Sequence, residues 1–495
     1  MKYLLGYDIG SSSVKAALLE IETGKAAASA LSPAVEMAIT SPQPGFAEQE
    51  PEMWWQELVN ATLKLHQQLS FRGDEVAAIG ISYQMHGLVC VDKQLKPLRP
   101  SIIWCDSRAV KIGDKAFKEL GEKFCLKNFL NSPGNFTASK LKWVKKNEPY
   151  LYDKIYKIML PGDYIAMKLT GELATTVSGL SEGVLWNFKK ERIAIDVLKY
   201  YGMDEKIISP VVPAFGEQGG LSAAAAEQLK LRAGIPVCYR AGDQPNNAFS
   251  LNVLQPGEVA ATAGTSGVVY GVTDKTNFDR QSRVNTFVHV NHSAKQPRYG
   301  VLLCVNGTGI LNSWLRKNFY SGLSYEQMNE EAAKIPAGSD GLLFYPFGNG
   351  AERILKNKDR GAVMKNLHFN RHHRGHIIRA AQEGIVFALY YGMEIMKETG
   401  MKPETVKAGQ ANMFLSRVFA DAFVNTTGCN LELYNTDGAA GAARGAGIGS
   451  GVYANFSEAF RTLEKIFICQ PGKNKQTAFL DVYHVWKQGL KKSEA

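Results

Sequence analysis

Short apolar runs broken by glycine and hydroxyl residues alternate along this chain with longer stretches of helical period. Tyr3-Leu4-Leu5-Gly6-Tyr7-Asp8 is apolar and strand-like, Gly10-Ser11-Ser12-Ser13 reads as a turn, and residues 14–19 resume strand character. Two strands around a Gly/Ser turn predict a hairpin. Residues 76–82 read as a buried strand and 237–240 as another, while Pro97 and Pro100 mark a turn between extended segments. A helix is predicted from Pro51 toward Gln68, with proline in its favoured first-turn place. A second begins at Lys140-Leu141-Lys142-Trp143-Val144, and a long third at His376, with Gly384 inside it. Strands alternating with helices predict α/β architecture.

The chain has 495 residues, more than the roughly 250–300 at which a single hydrophobic core stops growing. Two domains are therefore expected, 1–241 and 242–495, divided near the shift in composition around residue 240. The second half echoes the first: residues 259–268, with Gly264-Thr265-Ser266-Gly267 at their centre, repeat the strand, Gly-hydroxyl turn and strand of residues 5–14. A duplicated domain is the simplest reading.

Seven cysteines are scattered singly, which predicts free thiols in a reducing, cytoplasmic compartment and argues against cysteine-bound zinc. No apolar run reaches the length of a membrane span, and the short apolar N-terminus does not read as a signal peptide. The net charge of +10 is dispersed rather than gathered into a patch, so no nucleic acid is expected as a partner. The lysines of 140–146 and 487–492 read as solvated helix faces. His372, His373 and His376 stand among Arg371, Arg374 and Arg379; like charge disfavours a cation there, and a solvated helix start is expected.

A Gly/Ser/Thr turn between strands gathers backbone N–H groups and hydroxyls at one point, a nest suited to phosphate oxygens. Gly10, Ser11, Ser12 and Ser13 form one such turn, and Gly264, Thr265 and Ser266 the other. The Gly-x-x-x-x-Gly-Lys-Ser/Thr loop is absent. The glycine-rich run from Gly438 to Gly447 lacks dinucleotide spacing and reads as tight helix packing. Phosphoryl transfer needs a carboxylate near the acceptor hydroxyl and a metal to offset phosphate charge. Asp243, after a strand and a glycine, suits the base. Asp8, at the end of the first strand, suits Mg²⁺, which keeps several waters. Turn capping is the plain alternative for either aspartate.

Several stretches carry a resemblance in one order along nearly the whole chain: Asp8-Ile9-Gly10-Ser11-Ser12-Ser13, Glu48-Gln49-Glu50-Pro51-Glu52-Met53-Trp54-Trp55, Gln84-Met85-His86-Gly87 and Trp104-Cys105-Asp106-Ser107-Arg108. Leu160-Pro161-Gly162-Asp163-Tyr164, Gly242-Asp243-Gln244, Gly264-Thr265-Ser266-Gly267 and Arg379-Ala380-Ala381-Gln382-Glu383-Gly384 follow. Together they resemble the FGGY family of carbohydrate kinases, and within it the xylulokinases. The resemblance implies two actin-like (ribonuclease-H-like) domains closing over sugar and ATP. It implies Asp243 as general base, Asp8 and Asp243 near Mg²⁺, and Met85 and His86 lining the sugar pocket. The acceptor it implies is a ketopentose, D-xylulose first, with another sugar or polyol as the alternative and a catalytically silent binding protein on the same fold behind that. A homodimer is an expectation of the family alone. The family's late nucleotide motif is altered here to Ala408-Gly409-Gln410-Ala411-Asn412-Met413, which leaves Gly409 and Asn412 as adenine-pocket candidates. Ser178-Gly179-Leu180-Ser181 replaces the family's usual Asp-Ala-Ser run.

Overall fold

The computed structural model describes residues 1–492. The chain divides into two compact units. The first comprises Met1–Asn252, Phe287–Tyr299 and Thr436–Leu463, and the second Val253–Thr286, Gly300–Asn435 and Glu464–Ala495. The division at Asn252 differs from the expected boundary at 241/242. The helix Asp243–Ser250 continues directly from the strand Val237–Gly242 and packs on that strand and on the helix Gly438–Gly449, so it stays with the first unit. The return of residues 436–463 to that unit leaves no local trace in the sequence.

The first unit is built on a five-stranded sheet in the order Val237–Gly242, Val76–Tyr83, Tyr3–Ile9, Val14–Glu20, Ala26–Ser32. The first three strands of that order run parallel and the rest pair antiparallel through hairpins. The register sets Asp8 beside Ser82, and Ser82 beside Ala241, so the C-terminal ends of three parallel strands are level. Ligands of open α/β sheets bind beyond such ends.

Successive side chains of a strand point to opposite faces, and Gly6 and Tyr7 show what each face meets. The Tyr7 hydroxyl pairs with Thr62 Oγ1 at 2.7 Å, on the helix Pro51–Gln68. Gly6 faces the helix Gly438–Gly449, whose Ala439 carbonyl occupies the space a side chain would need. Gly80 meets the Ala442 carbonyl of that helix in the same way, and Gly445 lies against the Tyr239 ring. The glycine-rich run is thus a helix pressed onto the sheet.

The second unit repeats the order. The strands Tyr299–Val305, Gly267–Thr273, Val259–Ala263, Thr405–Gly409 and Asn430–Tyr434 lie side by side, with Lys465–Cys469 beyond them. The hairpin Val259–Ala263/Gly267–Thr273 is antiparallel, and Val259–Ala263, Thr405–Gly409 and Asn430–Tyr434 run parallel. The helices Arg374–Glu398 and Arg417–Thr427 supply most of its apolar cover. The helix predicted from His376 starts at Arg374 and the one predicted from Lys140 at Thr137. Among the described residues, no helix is long and apolar enough to cross a membrane.

Candidate active site

Asp8 and Asp243 both stand at the level end of the parallel strands. Ser82 Oγ donates to Asp8 Oδ1 at 2.7 Å. Burial holds the Asp8 carboxyl above its usual range, against the opposing pull of the Ser82 hydrogen bond. The Asp437 carboxylate pushes it further up, and the Lys15 ammonium pulls it back. Lys15 Nζ is bound to Asp437 Oδ2 at 2.5 Å, and Asp437 in turn caps the helix Gly438–Gly449 by accepting from Ala440 N.

Asp243 is the first residue of its helix, where the axial dipole favours a negative charge. Gln244 Nε2 donates to Asp243 Oδ2 at 3.1 Å. Burial raises its carboxyl to about 7, with the Asp8 charge the next cause. Two carboxylates that repel each other at a partly desolvated strand edge match the needs of a hard divalent cation completed by water and phosphate oxygens. The donor set therefore fits Mg²⁺, although no group of three or more His, Cys, Asp or Glu side chains with metal-binding geometry occurs among the described residues.

Met85 and His86 lie on the loop after the strand Val76–Tyr83. His86 has φ of 60°, a left-handed conformation that a non-glycine residue keeps only when its surroundings enforce it. The enforcement is visible on both sides. Lys140 Nζ donates to the His86 carbonyl at 2.8 Å and to the Ile103 carbonyl at 2.8 Å. His86 Nδ1 pairs with the Glu182 carbonyl at 3.0 Å. A carbonyl only accepts, so Nδ1 carries a proton and donates it to Glu182. The rings of Phe136 and Phe287 pack on the imidazole with centroids at 4.9 and 5.3 Å.

Lys140 corrects the expectation of a solvated lysine face. It is 0% exposed, and burial pushes its ammonium down to about 8. It ties the His86 loop to the segment leading into Trp104, whose Nε1 donates to Ser11 Oγ at 3.3 Å. Its role leaves no signal in the sequence, because three more lysines follow it within six positions.

Glu182 was also missed. It is 1% exposed on the short helix Val177–Glu182. A Cβ added to Gly242 would lie 2.6 Å from Met85 Cγ and 2.8 Å from Glu182 Oε2, so the Glu182 carboxyl rests against the backbone that leads into Asp243. Burial first, and then the Asp243 charge, hold it well above the usual carboxylate range.

Of the two turns, the first closes through Gly10 N donating to the Ser13 carbonyl at 3.0 Å. The Ser11 carbonyl accepts from Gln49 Nε2 at 2.7 Å and the Ser12 carbonyl from Met37 N at 2.8 Å. In the second, Gly309 N donates to the Gly264 carbonyl at 2.8 Å and Ile310 N to the Thr265 carbonyl at 3.1 Å. With the carbonyls engaged, the hydroxyl edge of each turn is left outward, and Ser12 and Thr265 are exposed. Asn412 Nδ2 comes within 3.4 Å of where a Gly264 Cβ would stand. Ala411 N donates to the Gly409 carbonyl at 2.8 Å, so Gly409 and Asn412 gather beside the second turn.

The histidine trio is engaged by neighbouring protein groups. His376 Nε2 meets Asp340 Oδ2 at 3.1 Å and His373 caps the helix Arg374–Glu398. His372 and His376 are buried, which corrects the expected solvated helix start: Asp340 draws the two rings inward.

The sequence matches two family profiles: the N-terminal domain of the FGGY family of carbohydrate kinases over residues 3–250, and its C-terminal domain over residues 259–449. The chain belongs to the FGGY family of carbohydrate kinases. It is 30% identical to the xylulose kinase of Bacillus subtilis over 92% of this chain and 90% of that one. The ligand-bound xylulose kinase from Lactobacillus acidophilus shares its fold with a TM-score of 0.89 at 21% identity, covering 100% of this chain and 99% of that one. Gluconate kinase from the same organism does so with a TM-score of 0.88 at 21% identity, covering 98% and 97%. Membership makes this FGGY protein a sugar kinase with ATP as its phosphoryl donor. Its two units are actin-like, ribonuclease-H-like domains.

Proposed function

We propose that the chain transfers the γ-phosphate of ATP to a primary hydroxyl of a ketopentose, D-xylulose first, giving D-xylulose 5-phosphate and ADP. The observation that carries this reading is Asp243, raised to about 7 at the end of a parallel strand and beside a second carboxylate. A general base works best when its pKa lies near the working pH.

In this reading the sugar lies against Met85 and His86, with a hydroxyl donating to His86 Nε2. Asp243 accepts the proton of the reacting hydroxyl as its oxygen bonds to the γ-phosphorus and the bond to ADP breaks. Gly10, Ser11, Ser12 and Ser13, and separately Gly264, Thr265 and Ser266, offer N–H groups and hydroxyls to the nucleotide phosphates. Gly409 and Asn412 serve the base of the nucleotide. Asp8 and Asp243 would hold Mg²⁺, which supplies charge neutralisation on the phosphates.

The xylulose kinases among the relatives support the choice of acceptor. Coupled measurement of ADP release over D-xylulose, D-ribulose, gluconate and a seven-carbon ketose tests it. D-xylulose is expected to give the highest kcat/KM. Preference for another acceptor overturns the substrate, and ATP binding with no acceptor-stimulated ADP release overturns the reaction.

A further inference from the structure

We propose that Glu182 is a specificity-determining residue of the acceptor pocket: its carboxyl, beside Met85 and behind Gly242, hydrogen-bonds one oxygen of the bound sugar near the hydroxyl that Asp243 faces. The inference rests on the reading of Asp243 as the base and extends it to a residue that the family motifs do not include.

Glu182 lies among the groups assigned to the sugar. Its carbonyl fixes the His86 ring. Its carboxyl shares with Met85 the space that a Gly242 side chain would need. Yet Oε1 is buried without any hydrogen-bond partner. The Tyr83 hydroxyl lies nearby, itself buried, without closing a hydrogen bond of normal geometry to the carboxyl.

Buried polar atoms are almost always satisfied, and one left bare at the edge of a site calls for a partner. A sugar oxygen supplies it. A carboxyl oxygen accepts readily from a sugar hydroxyl. In this reading Asp243 takes a proton, and Glu182 reads an oxygen. Sites that hydrogen-bond a substrate oxygen reject analogues lacking it far more strongly than apolar pockets reject a missing methylene.

The test compares E182A, E182Q and wild-type protein, with folding checked by circular dichroism and thermal unfolding. The acceptor is whichever sugar the wild type phosphorylates best, so the test survives a change of substrate. E182A is expected to raise KM for that sugar about tenfold or more while KM for ATP stays unchanged. E182Q, which keeps a donor and an acceptor, should stay within a few-fold of wild type. Across monodeoxy analogues, one position should cost wild type about tenfold or more and cost E182A nothing further. If E182A does not fold, E182D, which draws the carboxyl back by one methylene, should raise KM for the sugar and leave KM for ATP unchanged.

The proposal is overturned if E182A binds sugar as wild type does, if E182Q is as damaged as E182A, or if no deoxy position loses its penalty. Its failure is distinguishable from failure of the base assignment, which is read separately from D243N: an active D243N sinks the base, whereas an inactive D243N with an indifferent E182A sinks only Glu182.

Discussion

In the first unit the penultimate residue of the first hairpin strand is Asp8, paired across the register with Lys15; at the corresponding place in the second stands Thr262, paired with Val268. The third parallel strand of the first unit runs directly into Asp243, and that of the second into Asn435. Both turns offer glycine and hydroxyls, but only one unit adds carboxylates. Topology supplies the glycine-hydroxyl turn in each unit, but it supplies the strand-end carboxylates, the proposed base and metal ligand, in the first unit alone.

The largest expected effect comes from Asp243. D243N should lower kcat by about 10²–10⁴-fold, the usual share of a general base, while T262A should leave kcat near the wild-type value. A comparable loss in T262A, read in the same coupled assay, would erase the contrast between the units.

Next comes the clamp under His86. K140M removes two buried charge-assisted hydrogen bonds, each worth about 1.5–3 kcal/mol. KM for the sugar should rise about tenfold, with KM for ATP unchanged. Equal loss in both constants would make Lys140 a general support.

The pH dependence sharpens the pairing of the aspartates. Asp243 accepts a proton only when ionised, so kcat/KM should rise with pH through about 7. The Asp8 charge contributes to that value, so D8N should move the Asp243 titration to lower pH. Carboxyl-carbon NMR reads this even where turnover is lost, and an unmoved titration would uncouple the two groups.

The smallest effects concern packing. A methyl at Gly80 meets the Ala442 carbonyl, which is rigid backbone, whereas one at Gly271 meets the tip of Met401. G80A should cost about 1–3 kcal/mol in thermal or denaturant unfolding and G271A less, because a methionine end can turn aside. Equal losses would show both sheets to be equally unyielding.

Much of this was legible in advance. Gly10-Ser11-Ser12-Ser13 interrupts an apolar alternation, so the hairpin and the strand-end position of Asp8 follow from period and turn chemistry alone. Pro51 likewise announces its helix. Lys140 and Glu182 were not legible. A lysine among lysines and a glutamate after Gly-Leu-Ser look like surface, and only tertiary packing makes them buried partners of His86. The tight packing of the Gly438–Gly449 helix could be read from its small residues, but not its partner, since Gly6 and Gly80 lie far upstream.

That helix has a consequence for how the molecule is made. The ribosome delivers the strands Tyr3–Ile9 and Val76–Tyr83 long before the helix Gly438–Gly449 that seals one face of their sheet. Until then the grooves at Gly6 and Gly80 stand open to the nascent chain and its surroundings. A fragment ending at Asn252 would keep that wound permanently, so the first unit is a product of the whole polypeptide and not a module that can be cut out.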